Sequence, residues 1–278
     1  MYFEIEHITR YLYTVPVSLS EHLLRFVPLQ SPFQRVLSSR LQIDPAPIRQ
    51  ENMLDSWGNN IQRVAFAGET DHLEIHAHLE VETWQPQDFT QSLNFGLPPD
   101  YAGEFDSLIP YLNPLEEPNR LRDFLDPLVS SSNYRTADFL NALNLAVNRF
   151  YHKGVRLEGF PRTPAVTLEL GEGVCRDLAI LFMAACRQMG IASRFVSGYQ
   201  QGEGTRLVRY LHAWPEVYLP GMGWRGYDPT HAEQVGQDHV AVATAPEAAA
   251  LTPVEGGFTF IGPEVTSTLE TDIRITTR

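Results

Sequence analysis

At 278 residues, with 43% hydrophobic and 20% charged side chains, the chain has the composition of a globular protein and can bury one large core or two ordinary ones. Its formal charge of -13 argues against a nucleic-acid partner, because that affinity rests on clustered Lys and Arg releasing counterions from phosphates. No run of about 18 apolar residues exists to cross a membrane, and the opening Met-Tyr-Phe-Glu-Ile-Glu lacks the basic and then apolar regions of a secretory signal, so the expected compartment is the cytoplasm.

Residues 1–97 read as a β-rich domain. Leu73, Ile75, Ala77, Leu79 and Val81 alternate with His72, Glu74, His76, His78, Glu80 and Glu82, the period-2 pattern of a sheet with one wet face. Similar runs at 2–13, 23–27, 36–43 and 61–66 are separated by turn residues, which predicts an antiparallel sandwich-like arrangement. His76 and His78 share a face at i and i+2, but they lie on the polar side with no third ligand in sequence reach. No metal is expected there.

Residues 98–118 hold five prolines and no clear period, and are expected to connect two domains while packing against something. The catalytic core is expected over 119–278. Helices are predicted at 121–129 and 135–150, the second from the stripe Phe139, Leu143, Ala146, Val147 and Phe150, with Asn141, Asn144 and Asn148 off it. A third is predicted at 175–189, led in by Gly171-Glu172-Gly173 and ended by Gly190. Strands are predicted at 192–199, 209–219, 223–228, 239–243 and 268–275. The overall class is α+β.

Three residues in this second half carry chemistry. Cys175 opens the third helix, where unpaired backbone N–H groups and the helix dipole favour a thiolate. His212 lies on the face of its strand opposite Leu211, Ala213, Val217 and Leu219, available to a cleft. Asp228 ends the next strand, ahead of Pro229. A thiol attacks carbonyl carbon as its anion, so it needs a base in hydrogen-bond reach, and that base needs a partner to fix its tautomer. Cys175, His212 and Asp228 supply those types in that order. Cys186, the only other cysteine, falls eleven residues along the same helix, about 16 Å from Cys175 along the axis, too far for a disulfide. Both thiols are expected free, with Cys186 a small buried hydrophobe beside Phe182, Ala185 and Met189.

Four stretches together resemble the core of the bacterial transglutaminase-like superfamily: Gly-Val-Cys-Arg-Asp-Leu-Ala (173–179), Arg-Phe-Val-Ser-Gly-Tyr (194–199), His-Ala-Trp-Pro-Glu-Val-Tyr-Leu-Pro-Gly (212–221) and Gly-Trp-Arg-Gly-Tyr-Asp-Pro-Thr (223–230). His-Ile-Thr-Arg-Tyr-Leu-Tyr (7–13), Leu-Leu-Arg-Phe-Val-Pro (23–28) and Asp-Ser-Trp-Gly-Asn (55–59) are similar to the β-rich N-terminal domain that accompanies it. The resemblance implies a papain-like core, with helices packed on an antiparallel sheet, and a Cys-His-Asp triad: Cys175 the nucleophile, His212 the general base and acid, Asp228 the orienting carboxylate. It implies acyl transfer through a thioester, leaning to hydrolysis of peptide or carboxamide bonds, with amine transfer or a non-catalytic binding role as alternatives. The expected partner is a peptide, protein or small amide substrate; no cofactor, metal, nucleic acid or membrane is expected.

Some points stay open in the sequence. A plain hairpin turning at Gly221-Met222 sets His212 nearer His231 than Asp228, which a bulge at Pro215 would correct, and His231 remains a second candidate for a site role. Asp177 reads equally as a first-turn acid and as a family feature of the site. Trp214 and Trp224 read equally as walls of an acyl groove and as filling between strands. The oxyanion hole is expected to include the Cys175 N–H.

Overall fold

Strict alternation makes the first third of the chain sheet. The computed structural model describes residues 1–86, 95–152, 156, 159–202 and 210–278. It opens with β1 (Tyr2–Leu19), β2 (His22–Leu24), β3 (Gln34–Asp44), β4 (Arg49–Leu54), β5 (Asn60–Ala65) and β6 (Thr70–Thr83). Leu73, Ile75, Ala77, Leu79 and Val81 of β6 are buried and the intervening residues half-exposed, so His76 and His78 do lie on the wetter face. The helices α1 (Phe105–Leu112), α2 (Pro118–Ser131), α3 (Thr136–Asn148), α4 (Pro164–Leu170) and α5 (Cys175–Gln188) follow. The rest is β7 (Ser193–Gln200), β8 (His212–Leu219), β9 (Gly223–Asp228), β10 (Glu233–Gln234), β11 (His239–Ala245), β12 (Val254–Glu255), β13 (Phe258–Phe260) and β14 (Ser267–Thr277).

Three sheets result, of order β13-β1-β6-β3 with β14 also on β1, β12-β2-β5-β4, and β10-β9-β8-β7-β11. Every strand pairing in them is antiparallel. The architecture is α+β, as expected. One placement differs: the last predicted strand, now β14, does not extend the catalytic sheet but runs along β1 from Phe3 against Thr277 to Tyr13 against Ser267. With β12 on β2 and β13 on β1, the chain's end completes the N-terminal sheets, so strand pairing crosses the expected boundary at 98–118.

The connecting segment carries a helix that sequence periodicity did not reveal. In and before α1, Leu108 and Tyr101 are buried against Ala192, and the Tyr101 hydroxyl accepts the Ala192 N–H at 2.7 Å. The short α4 was also missed, although its start is signalled: Thr163 accepts the Val166 N–H and Pro164 follows it at the first helical position. The strand β4 escaped because all six of its residues are exposed, so no alternation marks it.

The two halves are tied through β11, an edge strand of the catalytic sheet. An open edge presents unpaired N–H and C=O groups. Here two side-chain amides from the N-terminal region pair with it. Gln34 accepts the Ala241 N–H at 2.7 Å and donates to the Ala241 carbonyl at 2.8 Å, and Asn59 does the same at Thr244 at 2.7 and 2.9 Å. Asn59 closes the Asp-Ser-Trp-Gly-Asn motif, and its side chain is further held by Asp55.

Helix α5 is the centre of the second half. Ala179 and Met183 face the apolar core shared with the N-terminal sheets, while Leu178, Leu181, Phe182 and Ala185 enter a second core with α2, α3, β8 and β9. Phe182 stacks on Tyr227 of β9 with ring centroids 5.4 Å apart. This anchors the helix whose first residue is Cys175 beside the strand that ends in Asp228. On the sheet, Gly198 of β7 lies opposite His212. A Cβ there would come within 2.2 Å of the Val240 carbonyl and 2.6 Å of the Trp214 ring, so only glycine lets that ring lie against the strand.

Candidate active site

Cys175 begins α5 and is half-exposed. As the first helical residue it has an N–H with no intrahelical acceptor, aimed outward with the positive end of the dipole. Asp177 locks this turn. Fully buried, it accepts the Val174 N–H at 3.1 Å and the Arg162 N–H at 2.8 Å, and pairs with the Arg156 guanidinium. Its contacts are those of a brace holding the chain ahead of α5 onto the helix start.

His212 and Asp228 meet. His212 Nε2 stands 2.7 Å from Asp228 Oδ2, with the carboxylate fully buried and the imidazole only 11% exposed. With Nε2 engaged, Nδ1 is the nitrogen left for the Cys175 thiol, whose hydrogen bond and charge both act on the ring. Burial, the largest single influence on His212, opposes its charged form; the charge and hydrogen bond of Asp228, with those of Cys175, outweigh it and hold the imidazole up at about 10. Burial likewise pushes Asp228 up, but the charge of His212 and hydrogen bonds from His212, His231 and His239 hold it well below the usual carboxylate range. The site favours a charged imidazole against a charged carboxylate.

The register puzzle resolves without a bulge. The β8–β9 ladder runs regularly from Leu219 against Gly223 to Glu216 against Gly226 and stops at Pro215, which has no N–H to donate. Extending it places Asp228 across from Trp214 and diagonal to His212. Diagonal neighbours sit about 7–8 Å apart, within reach of an imidazole and a carboxylate. The corrective bulge expected at Pro215 is therefore not needed.

Asp228 has more partners than sequence suggested. His231 Nδ1 is also 2.7 Å from Oδ2, and His239 Nε2 is 3.1 Å from the same oxygen, while Oδ1 accepts the Thr230 N–H at 2.9 Å. The loop bearing His231 is pinned from α3: Asn148 donates to the carbonyls of Pro229 and Thr230, and Asn144 to that of Glu233. These are asparagines off the apolar stripe. His239 gave no signal beyond starting a strand; only the fold brings it to Asp228.

Among the described residues, three sets place one ligand atom per residue within 4.8 Å of one another: His212-Asp228-His239, Asp228-His231-Glu233 and Glu233-Asp238-His239. All belong to this one cluster. Within it, imidazole nitrogens of His212, His231 and His239 hydrogen-bond to Asp228, and His239 also to Asp238. His76 and His78 are in none of the three sets.

Trp214 is fully buried, edge-on to His239 at 5.1 Å and tilted over His212 at 5.8 Å. Trp224 is half-buried, 4.8 Å from the Tyr111 ring, with the Arg194 guanidinium 4.3 Å over its face. Both line a cavity of about 270 Å³ between the catalytic sheet and the N-terminal region, with Phe33, Gln34 and Gln85 on the far side.

Both cysteines are free. Cys186 is fully buried, and that burial pushes its thiol well above the usual value. Iodoacetamide at pH 6 is therefore expected to modify Cys175 at least about ten times faster than Cys186 in the folded protein. Peptide mapping reads the ratio; equal labelling, or preference for Cys186, would remove Cys175 as nucleophile.

Comparisons with known proteins bear on the family and the fold. Residues 3–82 match the bacterial transglutaminase-like N-terminal region, and residues 123–229, which include Cys175, His212 and Asp228, match the transglutaminase-like superfamily. The chain belongs to the bacterial transglutaminase-like superfamily. An uncharacterized protein of Mycobacterium tuberculosis is 27% identical over 283 aligned positions, covering 91% of this chain and 86% of the relative. The solved "putative cysteine protease" of Cytophaga hutchinsonii superposes with a TM-score of 0.74 at 21% identity, over 99% of this chain and 90% of its own, and shares the fold. A protein-glutamine gamma-glutamyltransferase of Pseudomonas aeruginosa is 38% identical over 66 residues, 21% of this chain and 10% of the transferase. The transglutaminase-like core thus sits on a chain that, among its described residues, has no helix long and apolar enough to cross a membrane.

Proposed function

We propose that the protein is a thiol-dependent acyl-transfer enzyme that hydrolyses peptide or carboxamide bonds through a Cys175-His212-Asp228 triad. The observation that carries this reading is the buried His212–Asp228 pair, which leaves Nδ1 of a charged imidazole for the half-exposed thiol at the start of α5. A carboxylate at Nε2 fixes the ring so that the proton from the thiol rests on Nδ1 in a thiolate–imidazolium pair, and the thiolate attacks the carbonyl carbon. The Cys175 N–H supports one donor to the oxyanion that forms. The intermediate collapses, the C–N bond breaks, and the amine leaves with the proton from His212. Water, deprotonated by His212, then adds to the thioester carbonyl; its collapse expels the thiolate and frees the acid. Two free thiols suit a reducing compartment, and we place the reaction in the cytoplasm.

Amine transfer is the second reading, favoured by the short match to a gamma-glutamyltransferase. A transferase must admit an amine to the thioester faster than water, which calls for an enclosed channel around a lysine stem. The cavity behind Trp214 and Trp224 is lined by polar groups such as Gln34, Gln85 and Glu216 as much as by rings, which suits such a stem poorly. Offered a labelled primary amine at millimolar concentration on any accepted acyl donor, the enzyme is expected to deliver most acyl groups to water. Mass balance of acid against amide decides it, and a majority of amide would make the protein a transferase.

A further inference from the structure

Asp228 is shared by three histidines, and one of them is held in a way that the triad alone does not require. His239 opens β11, is 1% exposed, and lies between two carboxylates: its Nε2 is 3.1 Å from Asp228 Oδ2 and its Nδ1 is 2.9 Å from Asp238 Oδ1. A ring nitrogen without a proton would turn its lone pair on a carboxylate oxygen, so a ring facing two carboxylates carries a proton on each nitrogen. The ring is fixed further by the edge of Trp214 and by strand pairing of its backbone with Gln200.

Building on the proposed thiol chemistry, we infer that His239 is a positioning residue: a buried imidazolium, clamped by Asp238, that orients the Asp228 carboxylate toward His212 and offsets part of its charge. The acting chain is Asp238-His239-Asp228-His212-Cys175, with His231 a third and more exposed donor to Asp228. The charged and titratable groups facing His239 are Asp228 and His212 from β9 and β8, Asp238 beside it, His231 from the loop after β9 and Glu233 from β10. Burial opposes charge on His239, yet the hydrogen bonds and charges of Asp228 and Asp238 leave it raised from its ordinary value.

A second positive charge on Asp228 weakens the hold of that carboxylate on the His212 imidazolium and helps keep the thiol ionised. The two rings are 6.2 Å apart. At that distance a unit charge is worth about 0.5 to 2 pH units across the effective dielectrics of a partly buried site. His239→Gln keeps a donor for Asp228 and removes the charge. Both limbs of the pH profile of Cys175 alkylation by iodoacetamide should therefore move to higher pH, by about that amount.

The readout needs no substrate, so it separates this inference from the proposed hydrolysis. If the limbs shift but no amide or peptide is ever turned over, the function fails and the role of His239 stands. If a folded His239→Gln variant, checked by melting and near-ultraviolet circular dichroism, alkylates with unmoved limbs, His239 is only a structural residue. A second measurement covers a variant that does not fold. In the wild-type protein at pH 7.5, ¹⁵N shifts of the histidine rings should show His239 protonated on both nitrogens, and one unprotonated nitrogen would overturn the inference.

Discussion

Cys175→Ala should leave a folded protein with no turnover, at least about 10³-fold below the parent on any acyl donor it accepts. The expectation follows from position. Cys175 is half-exposed at the first turn of α5, packed against the core rather than buried in it, and replacing its thiol by hydrogen removes a single heavy atom, so the melting temperature should stay within a few degrees. The rest of α5 is fixed by residues the substitution does not touch: Leu178, Leu181 and Phe182 are all fully buried. Binding should survive as well, which makes the variant a trap for substrates when mixed with peptide libraries. Single-turnover assays of parent and variant at equal concentration check the result. A variant keeping more than about a tenth of the activity would end the nucleophile assignment, since Cys186, the other cysteine, is fully buried and out of reach of a substrate.

Much of this site was legible because its chemistry is local in the sequence. Cys175 announces itself by standing between a glycine lead-in and an apolar stripe, and the helix ends at Gln188, just ahead of Gly190, which has a φ of +69°. His212 and Asp228 were legible from alternation and from the proline that follows the aspartate. What the sequence concealed is long-range. His239 reaches Asp228 only because β11 pairs with β7 on the far side of β8, a sheet order no periodicity encodes. The same holds for β14, whose alternation predicts a strand but not that its partner is β1, more than 250 positions earlier. The clamps of Gln34 and Asn59 on β11 and of Asn144 and Asn148 on the Asp228 loop are single polar side chains. Read in sequence they are ordinary turn and surface residues; only the distant backbone groups they bond in the fold mark them.

Asp228→Asn should cut turnover by about 10² to 10⁴-fold with little change in KM, because the carboxylate orients and charges the imidazole and does not touch substrate. Its pH signature is more decisive than its size. In the parent, burial pulls the His212 imidazole down, and Asp228, by charge and hydrogen bond, is the chief reason it is held up at about 10. An amide keeps a polar partner at 2.7 Å but removes the charge. The imidazolium then loses its main support, and the alkaline limb of kcat/KM should fall by more than about one pH unit. The direction is opposite to that expected for His239→Gln, where a positive charge is lost and the limbs rise. Followed by the iodoacetamide alkylation of Cys175 in both variants, two neutral substitutions on one hydrogen-bonded chain should thus move the alkaline limb in opposite senses, which general loosening of the site cannot do. If Asp228→Asn kept full activity while His231→Ala lost it, the orienting role would pass to His231, the other imidazole within 2.7 Å of that oxygen.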